Sequence, residues 1–99
     1  MPDTITMEMF SNVLNTPFQM HYGNSETAEL KLIGVRDLGS SPTHTQFSLT
    51  FLGPLTCPPS QRIYKVEHAA LGELQIFLVP VARNESGLEY EAIYNLQKS

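Results

Sequence analysis

Few side chains in this sequence are suited to catalysis or metal binding. There is one cysteine, Cys57, and there are three histidines, His21, His44 and His68. Zinc sites usually carry at least one close ligand pair, such as C-x₂-C or H-x₃-H. The histidines here are far apart in the chain, so a metal site would need all three to converge, and none is expected. His21 falls on the polar side of an alternating segment, and His44 in a stretch rich in Ser, Pro and Thr. His68 shares parity with Tyr64 and Val66, so it points inward at the end of its segment. The plain reading is an imidazole bonded to backbone near residues 69–72; the sharper alternative is a general base.

Cys57 lies between Thr56 and Pro58. A nucleophilic thiolate needs a helix N-terminus or a basic neighbour to lower its pKa, and the sequence offers neither. A Cys57–His68 dyad is sterically conceivable, because the two are close in the chain. Glu89 and Glu91 share a strand face, as paired carboxylates would, but they alternate out of an apolar segment as solvated positions do. There is no glycine-rich phosphate loop, G-x-S-x-G elbow or H-E-x-x-H. Asn84-Glu85-Ser86 matches a glycosylation sequon, with no sign of secretion to give it meaning. The expectation is no catalytic, cofactor-binding or metal-binding residue and no cofactor.

Composition narrows the class. The chain has 99 residues, 41% hydrophobic and 16% charged. A disordered chain has the opposite balance, so residues 1–99 are expected to form one small folded domain. One cysteine cannot build a disulfide framework. No apolar run approaches the ~18–20 residues of a membrane span, and Met1-Pro2-Asp3-Thr4 does not resemble a signal peptide. A cytoplasmic location is expected. Six Lys+Arg stand against ten Asp+Glu. The six cations are scattered, and only Arg62 and Lys65 lie close together. Nucleic acid and anionic membranes, which need clustered cations, are therefore not expected as partners.

The elements follow from periodicity. Residues 5–14 read as an amphipathic helix, with Ile5, Met9 and Val13 four apart and Met7, Phe10 and Leu14 at three and four. Asp3 or Thr4 could cap it, and Pro17 forces an end by Thr16. Antiparallel strands are expected over 17–96. Phe18, Met20 and Tyr22 alternate, then a Gly23-Asn24-Ser25 turn leads to Ala28, Leu30 and Leu32. Parity shifts beside Gly34, which suggests a bulge. Leu38–Thr45 reads as a loop. Phe47, Leu49 and Phe51 form the clearest alternating strand, and Pro54, Pro58 and Pro59 make the following stretch irregular. Arg62–His68 is a fourth strand and Glu73–Arg83 a fifth. The fifth has Leu74, Ile76 and Leu78 on one face and Phe77, Val79 and Val81 on the other. With both faces apolar it should be central or covered by the helix. Pro80 marks a bulge or free edge. Asn84–Gly87 reads as a four-residue hairpin loop, and Leu88, Tyr90, Ala92 and Tyr94 alternate in the last strand. The fold class expected is mainly β: about six antiparallel strands in a small bent sheet or barrel, with one N-terminal α-helix capping an open end. Phe47, Leu49 and Phe51 should share one interior with Leu74, Ile76 and Leu78.

Four spaced pieces resemble an uncharacterised family of bacterial and phage proteins of this chain's length. They are Phe47-x-Leu49-x-Phe51-x-Gly53-Pro54; Gln61-x-x-Tyr64-x-x-x-His68-x-x-Leu71-Gly72; Phe77-Leu78-Val79-Pro80-Val81; and Gly87-x-x-Tyr90-Glu91-Ala92-x-x-Asn95. Arg62 departs from the glycine that often follows the glutamine. The resemblance covers residues 47–95 well and the preceding part loosely. It implies genes lying near those of tail-collar and other phage-tail-like proteins, hence a tail-associated or assembly role. It implies no catalytic residue.

The expected function is a non-enzymatic structural or accessory binding protein with a protein partner, tail-like or assembly-related, or with self-association. An edge strand or the Pro54–Gln61 loop would meet that partner. The alternative is a small-molecule-binding or enzymatic small β-barrel using His68 and Cys57. An oligonucleotide-binding barrel has aromatics available for stacking but lacks the basic groove.

Overall fold

The computed structural model describes residues 5–23, 25–58 and 60–97. The helix α1 spans Met7–Ser11, and six strands follow: β1 Pro17–His21, β2 Thr27–Ser40, β3 His44–Gly53, β4 Arg62–His68, β5 Gly72–Asn84 and β6 Gly87–Gln97. They close a barrel in the order β1-β2-β3-β6-β5-β4, and every pairing is antiparallel. Residues 1–4 lie outside the described part, so the capping roles expected of Asp3 and Thr4 fall there.

Alternation sets the inward face. Phe18, Met20, Leu30, Leu32, Phe47, Leu49, Phe51, Tyr64, Val66, Ile76, Leu78 and Tyr90 are all buried to within 1%. Leu74 packs against them half-buried, so the common interior of β3 and β5 forms as expected. Burial of such side chains stabilises by roughly 1.5–3 kcal/mol each. The register of β2 against β3 shifts between Leu32 and Gly34, and that of β5 against β6 between Pro80 and Ala82. Both irregularities stand where glycine and proline placed them.

Four elements differ from the sequence expectation. The helix is five residues long rather than ten. Thr6 is extended and accepts from the Met9 amide, completing a capping box that fixes the start. Past Asn12 the chain must turn into β1; Asn15 takes a φ of 66° and donates to the Leu32 carbonyl. Second, β2 continues through the stretch read as a loop. A register shift between Asp37 and Gly39, with Gly39 at φ 113°, keeps the ladder running to Ser40↔Thr45. Third, Asn84 pairs with Gly87, so the connection after β5 is the two-residue turn Glu85-Ser86. Fourth, β5 is central, paired with β4 and β6 as one of the two readings had it, but the helix does not cover its second apolar face; Phe77 and Val81 are 51% and 52% exposed. α1 instead packs inward, where Phe10 meets Phe47 and Tyr94 at ring separations of 6.1 and 5.8 Å.

Strand direction gives the barrel two distinct ends. One holds α1, the start of β1, the Ala69–Leu71 connection and the Ser41–Thr43 turn. The other holds the Tyr22–Glu26 turn, the 54–61 loop and the Glu85-Ser86 turn.

Candidate functional site

His68 closes β4 at the helix end. Its Nδ1 accepts from the backbone N–H groups of Ala70 (2.9 Å) and Leu71 (3.3 Å), the connection to β5. An acceptor Nδ1 leaves the ring proton on Nε2, which donates to Thr16 Oγ1 at 2.8 Å. That hydroxyl in turn donates to the Val13 carbonyl. The ring packs on Phe18, with centroids 4.4 Å apart. Burial lowers the His68 pKa. The backbone bonding near residues 69–72 was legible from parity and position. Thr16 as a partner was not, because only the folded α1–β1 link brings it there.

Cys57 sits in the loop over the other end and is 3% exposed. Its amide donates to the Pro54 carbonyl. Burial pushes the thiol pKa up, and the neighbouring Tyr90 hydroxyl partly opposes this. The Tyr90 hydroxyl donates to the Pro58 carbonyl, and burial raises its own pKa. Tyr64 donates to the Ser60 carbonyl at 2.7 Å, and the Arg62 guanidinium lies 4.8 Å above the Tyr64 ring. Two strand tyrosines thus hold the proline-rich loop down through its carbonyl oxygens.

The structure does not bring His68 and Cys57 together. They occupy opposite ends of the barrel, separated by the length of β4, roughly 20 Å for seven extended residues. The packed interior, including Phe18, Phe51, Val66 and Tyr64, fills the space between.

The remaining candidates are dispersed. His21 bonds to Glu67 on the adjacent strand at 2.5 Å, and exposed His44 bonds to Thr43 in its turn. Glu89 and Glu91 lie half-buried on the outer face of β6. Among the described residues, no three His, Cys, Asp or Glu side chains form a metal-binding group. No described helix is long and apolar enough to cross a membrane.

The outer wall carries a feature that sequence reasoning left unassigned. Ile63 on β4 stands directly opposite Phe77 on β5. Ile63 is 64% exposed, and Ile93 on β6 is 58% exposed. Ile63, Phe77 and Ile93 border a shallow concavity of ≈ 290 Å³. It lies where the β5–β6 ladder stops: pairing runs from Asn84↔Gly87 only as far as Val79↔Glu91. Below that point the two strands pair only with their outer neighbours, β4 and β3. The doubled apolar periodicity of residues 74–81 was the available signal. A second groove of ≈ 520 Å³ crosses β1, lined by Phe18 and Ala28 as well as by Gln19, Glu29, Glu67 and His68.

Residues 5–94 match the model of a family described as a domain of unknown function, DUF6916, and the chain belongs to that family. No curated protein and no solved structure matches the chain.

Proposed function

We propose that this DUF6916 domain is a non-enzymatic structural or accessory binding protein that meets a protein partner through the outer face of β4, β5 and β6. The observation that carries this reading is the cluster of exposed large apolar side chains Ile63, Phe77 and Ile93, which border one concavity on the outer wall. Contiguous exposed apolar surface on a small domain marks an interaction site more often than scattered single residues do. The unpaired backbone between β5 and β6 adds groups able to bond an incoming segment.

The partner proposed is a tail-like or assembly protein, or a second copy. The resemblance of residues 47–95 to small bacterial and phage proteins supports that context, and a particle-associated as well as cytoplasmic location goes with it. The alternative, an enzymatic or small-molecule barrel using His68 and Cys57, would need a reacting centre between groups held at opposite ends.

The test pairs affinity capture against tail-like proteins with sedimentation of the isolated protein. The wild type should capture a partner or self-associate, and Phe77→Ser/Ile93→Ser should lose this with its fold intact. A wild type that stays monomeric and captures nothing, or a variant that binds equally well, sinks the reading.

A further inference from the structure

The bonding around His68 is specific for a neutral imidazole. Nδ1 faces two N–H donors, from Ala70 and Leu71, so a proton there removes both hydrogen bonds and sets like dipoles against each other. The cationic ring can regain a partner for Nδ1 only by swinging away from the turn. That movement also parts Nε2 from Thr16 and lifts the ring from Phe18.

What the ring helps to hold is a helix too short to stand alone. α1 has five residues, far below the ~12–15 at which an isolated helix becomes even marginally stable. Its seat combines Phe10 on the Phe47–Tyr94 stack, buried Val13, the partly buried Ile5, Met7 and Met9, the Asn15 and Leu32 backbone bonds of the link, and the chain of bonds His68 Nε2–H to Thr16 to the Val13 carbonyl. Seating has a cost as well: the Tyr94 hydroxyl is buried with no hydrogen-bond partner. Phe10 of α1 packs on the Tyr94 ring, so unseating α1 would loosen the burial of that side chain.

We propose that His68 is a proton-operated latch: protonation of Nδ1 unseats α1 and opens the Phe47–Tyr94 end of the barrel. Among the described residues, the carboxylates near the group border the open groove. Glu29 of β2 and Glu67 of β4 border the same groove as His68, and Glu67 bonds to His21. Glu73 of β5 lies opposite Glu67 and contacts Lys65. From β1 and the α1–β1 link the ring meets Phe18 and Thr16, neither of which titrates in the acidic range. Among the described residues no carboxylate accepts a hydrogen bond from the ring, so none of them is placed to hold the cation where it stands. Histidine is the side chain that changes charge between pH 5 and 8, and a change of bonding at one residue can bias a lid with two seats.

The test is amide exchange, corrected for intrinsic rates, at about pH 7.5 and about pH 5.5. In the wild type, protection of the Ala70, Leu71 and Asn12 amides should fall about tenfold or more between the two, while that of Leu49 in β3 holds. His68→Gln offers the turn an acceptor that takes no proton, and its protection should not change with pH. Should that variant fail to fold, Thr16→Val serves: Asn12 protection should already be low at the higher pH, with the Ala70 response to acid retained. Asn12 protection that stays constant through the titration of the His68 ring overturns the latch. So does a His68→Gln protein that folds and keeps the wild-type pH response.

Discussion

Gly87 lies directly against Gly53: a Cβ at Gly87 would stand 2.2 Å from the Gly53 carbonyl oxygen. Gly87 also has a φ of 141°, a backbone conformation that glycine alone adopts readily. The close approach pins the start of β6 to the end of β3, where Gly53 pairs with Leu88. On the loop side Gly53 is crowded as well, with Cys57 Sγ 3.1 Å from where a Gly53 Cβ would be.

Gly87→Ala therefore combines backbone strain with a clash against main chain, which has little room to move. We expect it to destabilise the protein by about 3 kcal/mol, the sum of strain and overpacking. Gly39 has a similar φ of 113° with nothing within 4 Å of a Cβ. Gly39→Ala should cost only about 1 kcal/mol, from strain alone. Urea midpoints of the two variants give the ranking; equal midpoints would remove the contact from the explanation.

Tyr94 and Tyr90 should respond oppositely to loss of their hydroxyls. The Tyr94 hydroxyl is buried without a partner, so Tyr94→Phe is expected to stabilise by about 1 kcal/mol. The Tyr90 hydroxyl donates to the Pro58 carbonyl, and Tyr90→Phe leaves that oxygen unpaired, costing about 1–2 kcal/mol. Thermal melts of both variants beside the wild type show the two signs.

Stability should fall with acid in the range where histidine titrates. His68 has its pKa lowered by burial, so just below its ordinary value of about 6.5 the unfolded chain binds more protons than the folded one. Its contribution to stability is thus intact above that value and is lost as pH drops through the window between the unfolded and folded pKa. Denaturation midpoints of the wild type should decline across that window, and His68→Gln should flatten the decline. A wild-type midpoint that is constant or rises on acidification would contradict the assignment.

Cys57 should resist thiol reagents. It is buried, its pKa is raised, and the cation nearest the loop, Arg62, lies over Tyr64. At mildly alkaline pH its reaction with an aromatic disulfide should be at least about 100-fold slower in the folded protein than in urea, because access requires local opening. Comparable rates in the two states would place the thiol at the surface.

Sequence alone determined the inward face of nearly every strand, because period-2 alternation is a local property of the extended chain. It also located the irregularities beside Gly34 and at Pro80, where backbone chemistry disfavours a regular ladder, and it set His68 against its own turn. Which distant groups meet was decided by strand order and direction. These place His68 and Cys57 at opposite ends although they are close in the chain, and they bring Thr16 to His68 across 52 residues. The short helix and the exposed Phe77 are likewise tertiary outcomes. A closed sheet has a single interior, six inward faces and Phe10 fill it, and a second apolar face on β5 is left in solvent.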